Sequence, residues 1–157
     1  PYRRGSKGPN RFDCSGFMQY IFNHFSYSLN ASSASQYLQG ISVKDEEICR
    51  GDLVFFKGRN SRRSNVGHVG LVTEVYPDGR FKFIHASTSQ GIREDWNFSP
   101  YYAQRYVGAR RIYFVQIDKR LILDAILELE DIDDNTPFTE TEKSITPQEF
   151  STFVRAE

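Results

Sequence analysis

The chemistry available to this chain rests on few side chains: of its 157 residues, two are cysteines and three are histidines. Cys14 follows Asp13, a good helix N-cap, and precedes Phe17, Met18, Ile21, Phe22 and Phe25, which recur on one helical face. A thiol at a helix start meets free backbone N–H groups and the positive end of the dipole. Its pKa, ordinarily ~8.5, is expected to drop into the range of roughly 3.5–7.5, which makes it a nucleophile. A lone cysteine there is more often a small buried residue, so the histidines decide between the two readings. His24 comes late in the same helix and reads as a surface residue at its C-terminal end. His68 opens Gly-His-Val-Gly-Leu-Val and His85 closes Phe-Lys-Phe-Ile-His, and the turn Pro77-Asp78-Gly79 lies between them. Two strands joined by that turn bring the start of one arm opposite the end of the other, so both imidazoles fall at the same edge of a sheet. A helix-start thiol and two strand histidines make a nucleophile, a base and an orienting group. Zinc is the rival use of Cys14, His68 and His85, with Cys49 a poor fourth ligand. No CxxC or HxxxH pair supports it, and neither a metal nor a cofactor is expected.

The elements that must position these groups are legible from period and turn signals. Residues 1–12 are a Gly, Pro and Arg-rich loop, and the first helix ends near Phe25 or Ser26. Gln36–Gln39 fits a short helical turn stopped by Gly40. Strands are expected at Asp52–Phe56, Val66–Tyr76, Phe81–His85 and Ala109–Ile117. One helix followed by antiparallel strands is an α+β domain with the helix packed on the sheet. Phe12, Phe17, Phe55, Phe56 and Phe83 are expected in its core, Asp52 as a loop anchor, and Trp96 over the cleft edge or under a loop. Further on, Leu121–Leu129 fits a short helix or strand, and Thr146-Pro147-Gln148-Glu149 carries a capping box for another.

The charge balances to zero only over the whole chain. Residues 1–115 hold 16 Lys and Arg against 9 Asp and Glu, and residues 116–157 hold 4 against 11. A boundary near Gln116 is therefore expected, with a basic body and an acidic extension. The body suits an anionic ligand, but no recognition helix, RNP-like run or zinc module points to nucleic acid. Two cysteines do not make a disulfide scaffold. No apolar run approaches the ~18 residues that span a bilayer, and no signal peptide is present. The chain opens at Pro1 as if inside a motif, so it reads as a trimmed piece.

Five blocks occur in an order and spacing that resemble the NlpC/P60 family: Pro1-Tyr2-Arg3, Asp13-Cys14-Ser15-Gly16-Phe17, Gly51-Asp52-Leu53-Val54-Phe55-Phe56, Gly67-His68-Val69-Gly70 and His85-Ala86-Ser87-Thr88-Ser89. His85 to Ser89 with Gly91, and Ala109-Arg110-Arg111, resemble its murein endopeptidase branch. The resemblance covers residues 1–115, and leaves 116–157 as an acidic extension of unknown role. It implies a papain-like fold and hydrolysis of peptidoglycan stem peptides, at the D-Glu–diamino acid bond or at a peptide cross-link. By residue it implies Cys14 as nucleophile, His68 as base and His85 as the third member. Tyr2 is implied near the oxyanion hole, and Asp13, Ser15 and Ser33 along the substrate cleft. Asn30 and Ala31 depart from the Pro-Arg that the family usually carries before that serine. The family also implies an extracytoplasmic location, with membrane association only through a segment outside this chain. A non-catalytic wall-binding module, or an acyltransferase or amidase on the same fold, would use the same framework.

Overall fold

In the computed structural model, residues 2–112 are described, together with Asp124, Ile126 and Leu127. Helix α1 spans Cys14–His24, with the Asp13 carboxylate accepting from the Gly16 N–H at 2.6 Å as its N-cap. Its apolar period puts Phe17, Met18, Ile21 and Phe22 under cover. Helix α2, Ser33–Gln36, is a single turn closed by a capping box between Ser32 and Ser35. It begins three residues ahead of the turn expected there.

Among the described residues the sheet has six antiparallel strands: β1 Ile41–Val43, β2 Leu53–Lys57, β3 Val66–Val75, β4 Phe81–Ser87, β5 Gly91–Trp96 and β6 Tyr106–Arg111, in the order β1-β6-β2-β3-β4-β5. A 3-10 turn at Asp45–Glu47 and a short helix α3 at Pro100–Ala103 complete the described elements. The β3–β4 hairpin turns where expected, with Gly79 at φ 85° and the Asp78 carboxylate accepting from the Arg80 N–H. Strand β6 begins three residues before its expected start, and residues 113–117 lie outside those described, so the rest of that expectation does too. Strands β1 and β5 were not foreseen. The elements nevertheless make the expected α+β domain.

Alternation along β2, β3 and β4 divides the core. Phe55, Val69, Leu71, Ile84 and Ala86 pack with α1 on one face. Val54, Phe56, Val72 and Phe83 pack on the other. All five phenylalanines expected in the core are there, each no more than 3% exposed. Asp52 is indeed a loop anchor: its carboxylate takes the Cys49 N–H at 2.9 Å and two donors of Arg111 at 2.8 and 2.9 Å. Trp96 lies against Tyr76 and Phe98, past the far end of β3, and not over the edge where His68 sits. The acidic extension falls outside the described residues except for Asp124, Ile126 and Leu127; Ile126 is half-buried against the α1 core and Leu127 is exposed.

Candidate active site

The β3–β4 ladder runs as far as the Leu71–Ile84 pair. Beyond it β4 continues along β5 to Ser87, while β3 continues along β2 toward Val66. The Cys14 thiol stands where β3 and β4 part: its Sγ is 4.0 Å from the Gly67 carbonyl oxygen, and the Val69 N–H points at the sulfur. The thiol thus meets main-chain groups on both sides of His68.

His68 itself is paired across β2 with Phe56, and so projects to the face away from α1. There its Nε2 is 2.8 Å from Nδ1 of His85, with the two rings nearly perpendicular. Phe56, Phe83 and Tyr102 wall the pair, and His85 is fully buried. Gly70 makes room for this. A methyl group there would come within 2.6 Å of the Phe83 ring and 3.4 Å of the His85 Cβ.

Electrostatics differ from the sequence expectation at the thiol. Burial pushes the Cys14 pKa up, and Asp13 pushes it further; the N–H groups of Val69, Ser15 and Cys14 itself oppose this without overcoming it. The helix start is present, but desolvation and a neighbouring carboxylate outweigh it. Burial also pulls His68 well below the usual imidazole range, and His85 adds to the effect. For His85, burial lowers the pKa against the opposing pull of Asp95. The resting thiol and both imidazoles are therefore neutral near pH 7.

Tyr2 packs against the α1 core, and its hydroxyl pKa is raised by burial first, then by Cys14 and Asp13 beside it. Asp13 and Ser15 lie next to the thiol in sequence and are already engaged. The Lys7 ammonium rests among the Asp13 carboxylate at 3.3 Å, the Ser15 hydroxyl at 3.1 Å and the Ala31 carbonyl. The Ser15 hydroxyl also lies 3.0 Å from both Asp13 Oδ1 and the Ala31 carbonyl. Buried Ser33 opens α2. Cys49 is half-buried beside Asp52 and Arg111, apart from the histidines. Among the described residues, no three of His, Cys, Asp or Glu are grouped to hold a metal ion.

The sequence reading passed over three residues. Asp95 Oδ2 is 2.8 Å from His85 Nε2, Arg93 donates to Asp95 Oδ1 at 2.6 Å, and the Tyr102 hydroxyl is 3.3 Å from His85 Nε2. The register explains the first two. Asp95 pairs with Phe83 and Arg93 with His85, so both share the histidine face. Recognising β5 as a strand would have exposed them.

The sequence profile of the NlpC/P60 family matches residues 1–111. The chain belongs to the NlpC/P60 family. Over 112 residues this NlpC/P60 chain is 37% identical to the murein DD-endopeptidase MepS/murein LD-carboxypeptidase of Escherichia coli K12, covering 71% of this chain and 55% of that one. Over 113 residues it is 34% identical to the gamma-DL-glutamyl hydrolase of Bacillus subtilis 168, covering 71% and 26%. A solved lipoprotein-like NLP/P60 family structure from Staphylococcus aureus Mu50 superposes with a TM-score of 0.62 at 31% identity, over 73% of this chain and 37% of that one. The chain spans about half the length, or less, of these relatives. Its fold is that of NlpC/P60 proteins. No helix among the described residues is long and apolar enough to cross a membrane.

One stability prediction comes directly from the histidines. Both have folded pKa values below their ordinary ~6.5, so the unfolded chain binds more protons below that pH. Their contribution is complete above about pH 6.5 and is lost as pH falls toward the folded values, at about 1.4 kcal/mol per pH unit for each site. The melting temperature should therefore fall between about pH 7 and pH 5, before most carboxylates titrate. Thermal melts across that window check it, and a constant melting temperature would contradict buried neutral histidines.

Proposed function

We propose that this domain is a cysteine endopeptidase that hydrolyses amide bonds in peptidoglycan stem peptides through a thioester. The observation that carries this is the Cys14 thiol set against the backbone around His68, with His68 bonded to His85. Cys14 acts as nucleophile, His68 as base and His85 as its orienting partner. Residues 1–115 form the catalytic unit, and 116–157 an extension.

The reaction begins from a neutral thiol and a neutral imidazole. His68 takes the thiol proton as Sγ bonds to the amide carbon, and the carbonyl electrons move onto oxygen. The Cys14 N–H and the Tyr2 hydroxyl are the donors for that oxyanion; one such donor is worth about 2.7–4 kcal/mol in a transition state. Collapse breaks the C–N bond, and the amine leaves with the proton from His68. Water then adds to the thioester with His68 again as base, releasing a carboxylic acid and restoring the thiol.

Asp13, Ser15 and Ser33 line the approach to the thiol. The exposed loop carrying Arg59, Arg62 and Arg63 leads into β3, and its charge suits the carboxylates of stem peptides. Such a substrate places the working protein outside the cytoplasm, in the periplasm or at the cell wall. The test is mass spectrometry of defined muropeptides after incubation with the protein. New products split at the D-Glu–diamino acid bond or at the cross-link are expected, the two fragments of each cleavage together exceeding the mass of the starting muropeptide by one water. Intact muropeptides at high enzyme concentration would overturn the reading.

A further inference from the structure

We propose that Asp95 is a positioning residue that sets the tautomer of both histidines, so that His68 presents a bare Nδ1 to the thiol. The inference rests on the reading of His68 as base. It is carried by one continuous line of hydrogen bonds on the face away from α1: His68 Nε2 to His85 Nδ1 at 2.8 Å, then His85 Nε2 to Asp95 Oδ2 at 2.8 Å.

A carboxylate only accepts hydrogen bonds. Asp95 Oδ1 is occupied by the Arg93 guanidinium at 2.6 Å, which fixes the carboxylate plane and leaves Oδ2 toward His85. His85 Nε2 must therefore carry a hydrogen. A neutral imidazole has only one, so His85 Nδ1 is a lone pair and accepts. His68 Nε2 must donate to it. The remaining nitrogen of His68, Nδ1, is then its only base. Each bond in the line has one permitted direction, and the direction originates at Asp95.

The other polar group facing His85 supports this order. The Tyr102 hydroxyl lies 3.3 Å from His85 Nε2 and bonds to the Asp95 carboxylate. Its pKa is raised, by burial first and by Asp95 next, so it remains a neutral donor. Asp95, Arg93 and Tyr102 are the charged or titratable groups that act on His85, and Asp95 is the acceptor for the last two as well as for His85. His85 itself is fully buried and has no water-facing alternative.

Asp95→Asn tests the direction of the line. Arg93 keeps the amide oxygen, so the amide NH2 faces His85 Nε2 and removes the hydrogen there. His85 then carries its hydrogen on Nδ1 and donates to His68 Nε2. His68 in turn must carry its hydrogen on Nδ1, where the base was. The expected result is a fall in kcat of about 10²-fold or more with KM little changed. Asp95→Glu, which still only accepts, should recover part of it. Ring 15N chemical shifts of the free protein give a readout that a merely structural role would not move. His68 and His85 should both be Nε2–H tautomers in the wild type, and both Nδ1–H in Asp95→Asn.

The tautomer measurement needs no substrate, so it stands apart from the muropeptide experiment. Correct tautomers without muropeptide cleavage would support the positioning role and overturn the substrate reading alone. A wild-type His85 with its hydrogen on Nδ1 would overturn the proposal even if Asp95→Asn fails to fold. So would an Asp95→Asn protein that keeps both Nε2–H tautomers, or one that keeps wild-type kcat.

Discussion

Cys14→Ala should lose hydrolysis by at least about 10³-fold, to the limit of detection. In the proposed mechanism no other atom forms the acyl intermediate, and Cys49 is held beside Asp52 and Arg111. The fold should survive. Cys14 is a small group, its burial already opposes its ionisation, and α1 is anchored by Phe17, Met18, Ile21 and Phe22. A stability change of about 1 kcal/mol or less is expected. Product formation by chromatography, with a melting curve on the same sample, decides it. Turnover within about tenfold of wild type would end the cysteine mechanism, and Cys49→Ser should leave the rate intact as the control.

His68→Ala should be nearly as severe, and its pH dependence more informative. The thiol pKa is raised and the His68 pKa lowered, so the wild-type pair is neutral across the middle of the pH scale. Acid inhibition sets in only when His68 protonates, well below its ordinary ~6.5. Wild-type kcat/KM is thus expected to be flat through the neutral range. Without the imidazole the thiol has no partner to take its proton as it attacks, and kcat/KM should drop by about 10²–10⁴-fold. The residual rate then depends on thiolate present in solution equilibrium, and it should climb about tenfold per pH unit into the alkaline range. Rate profiles of the two proteins on one defined muropeptide make the comparison. A flat profile for His68→Ala would remove His68 from the proton transfer.

Much of this was readable in the sequence, for identifiable physical reasons. The helix period and the Asp13 cap placed Cys14 at a helix start. The Pro77–Gly79 turn marked a hairpin, and its two arms carry His68 and His85 to the same end, where their side chains meet beyond the last β3–β4 pair. Period and turn chemistry are local, and they survive folding. Strand β5 was missed because Gly-Ile-Arg-Glu-Asp-Trp shows neither alternation nor an apolar run; every one of its residues stays at least partly exposed. Its pairing with β4 holds it, and pairing is not written in its own residues. Asp95 was lost with it. The thiol pKa was misjudged because the helix-start rule sees only the helix. How deeply Sγ is buried, the larger cause of its raised pKa, depends on tertiary packing.

The parting of β3 and β4 has a further consequence. Cys14 belongs to the helical layer and His68 to the sheet, and the sulfur meets main-chain atoms of β3 on either side of His68. The clearance between the thiol and His68 is therefore set by how α1 seats on Phe55, Val69, Leu71 and Ile84. A loosened seat under the helix would widen that clearance with Cys14, His68 and His85 all retained.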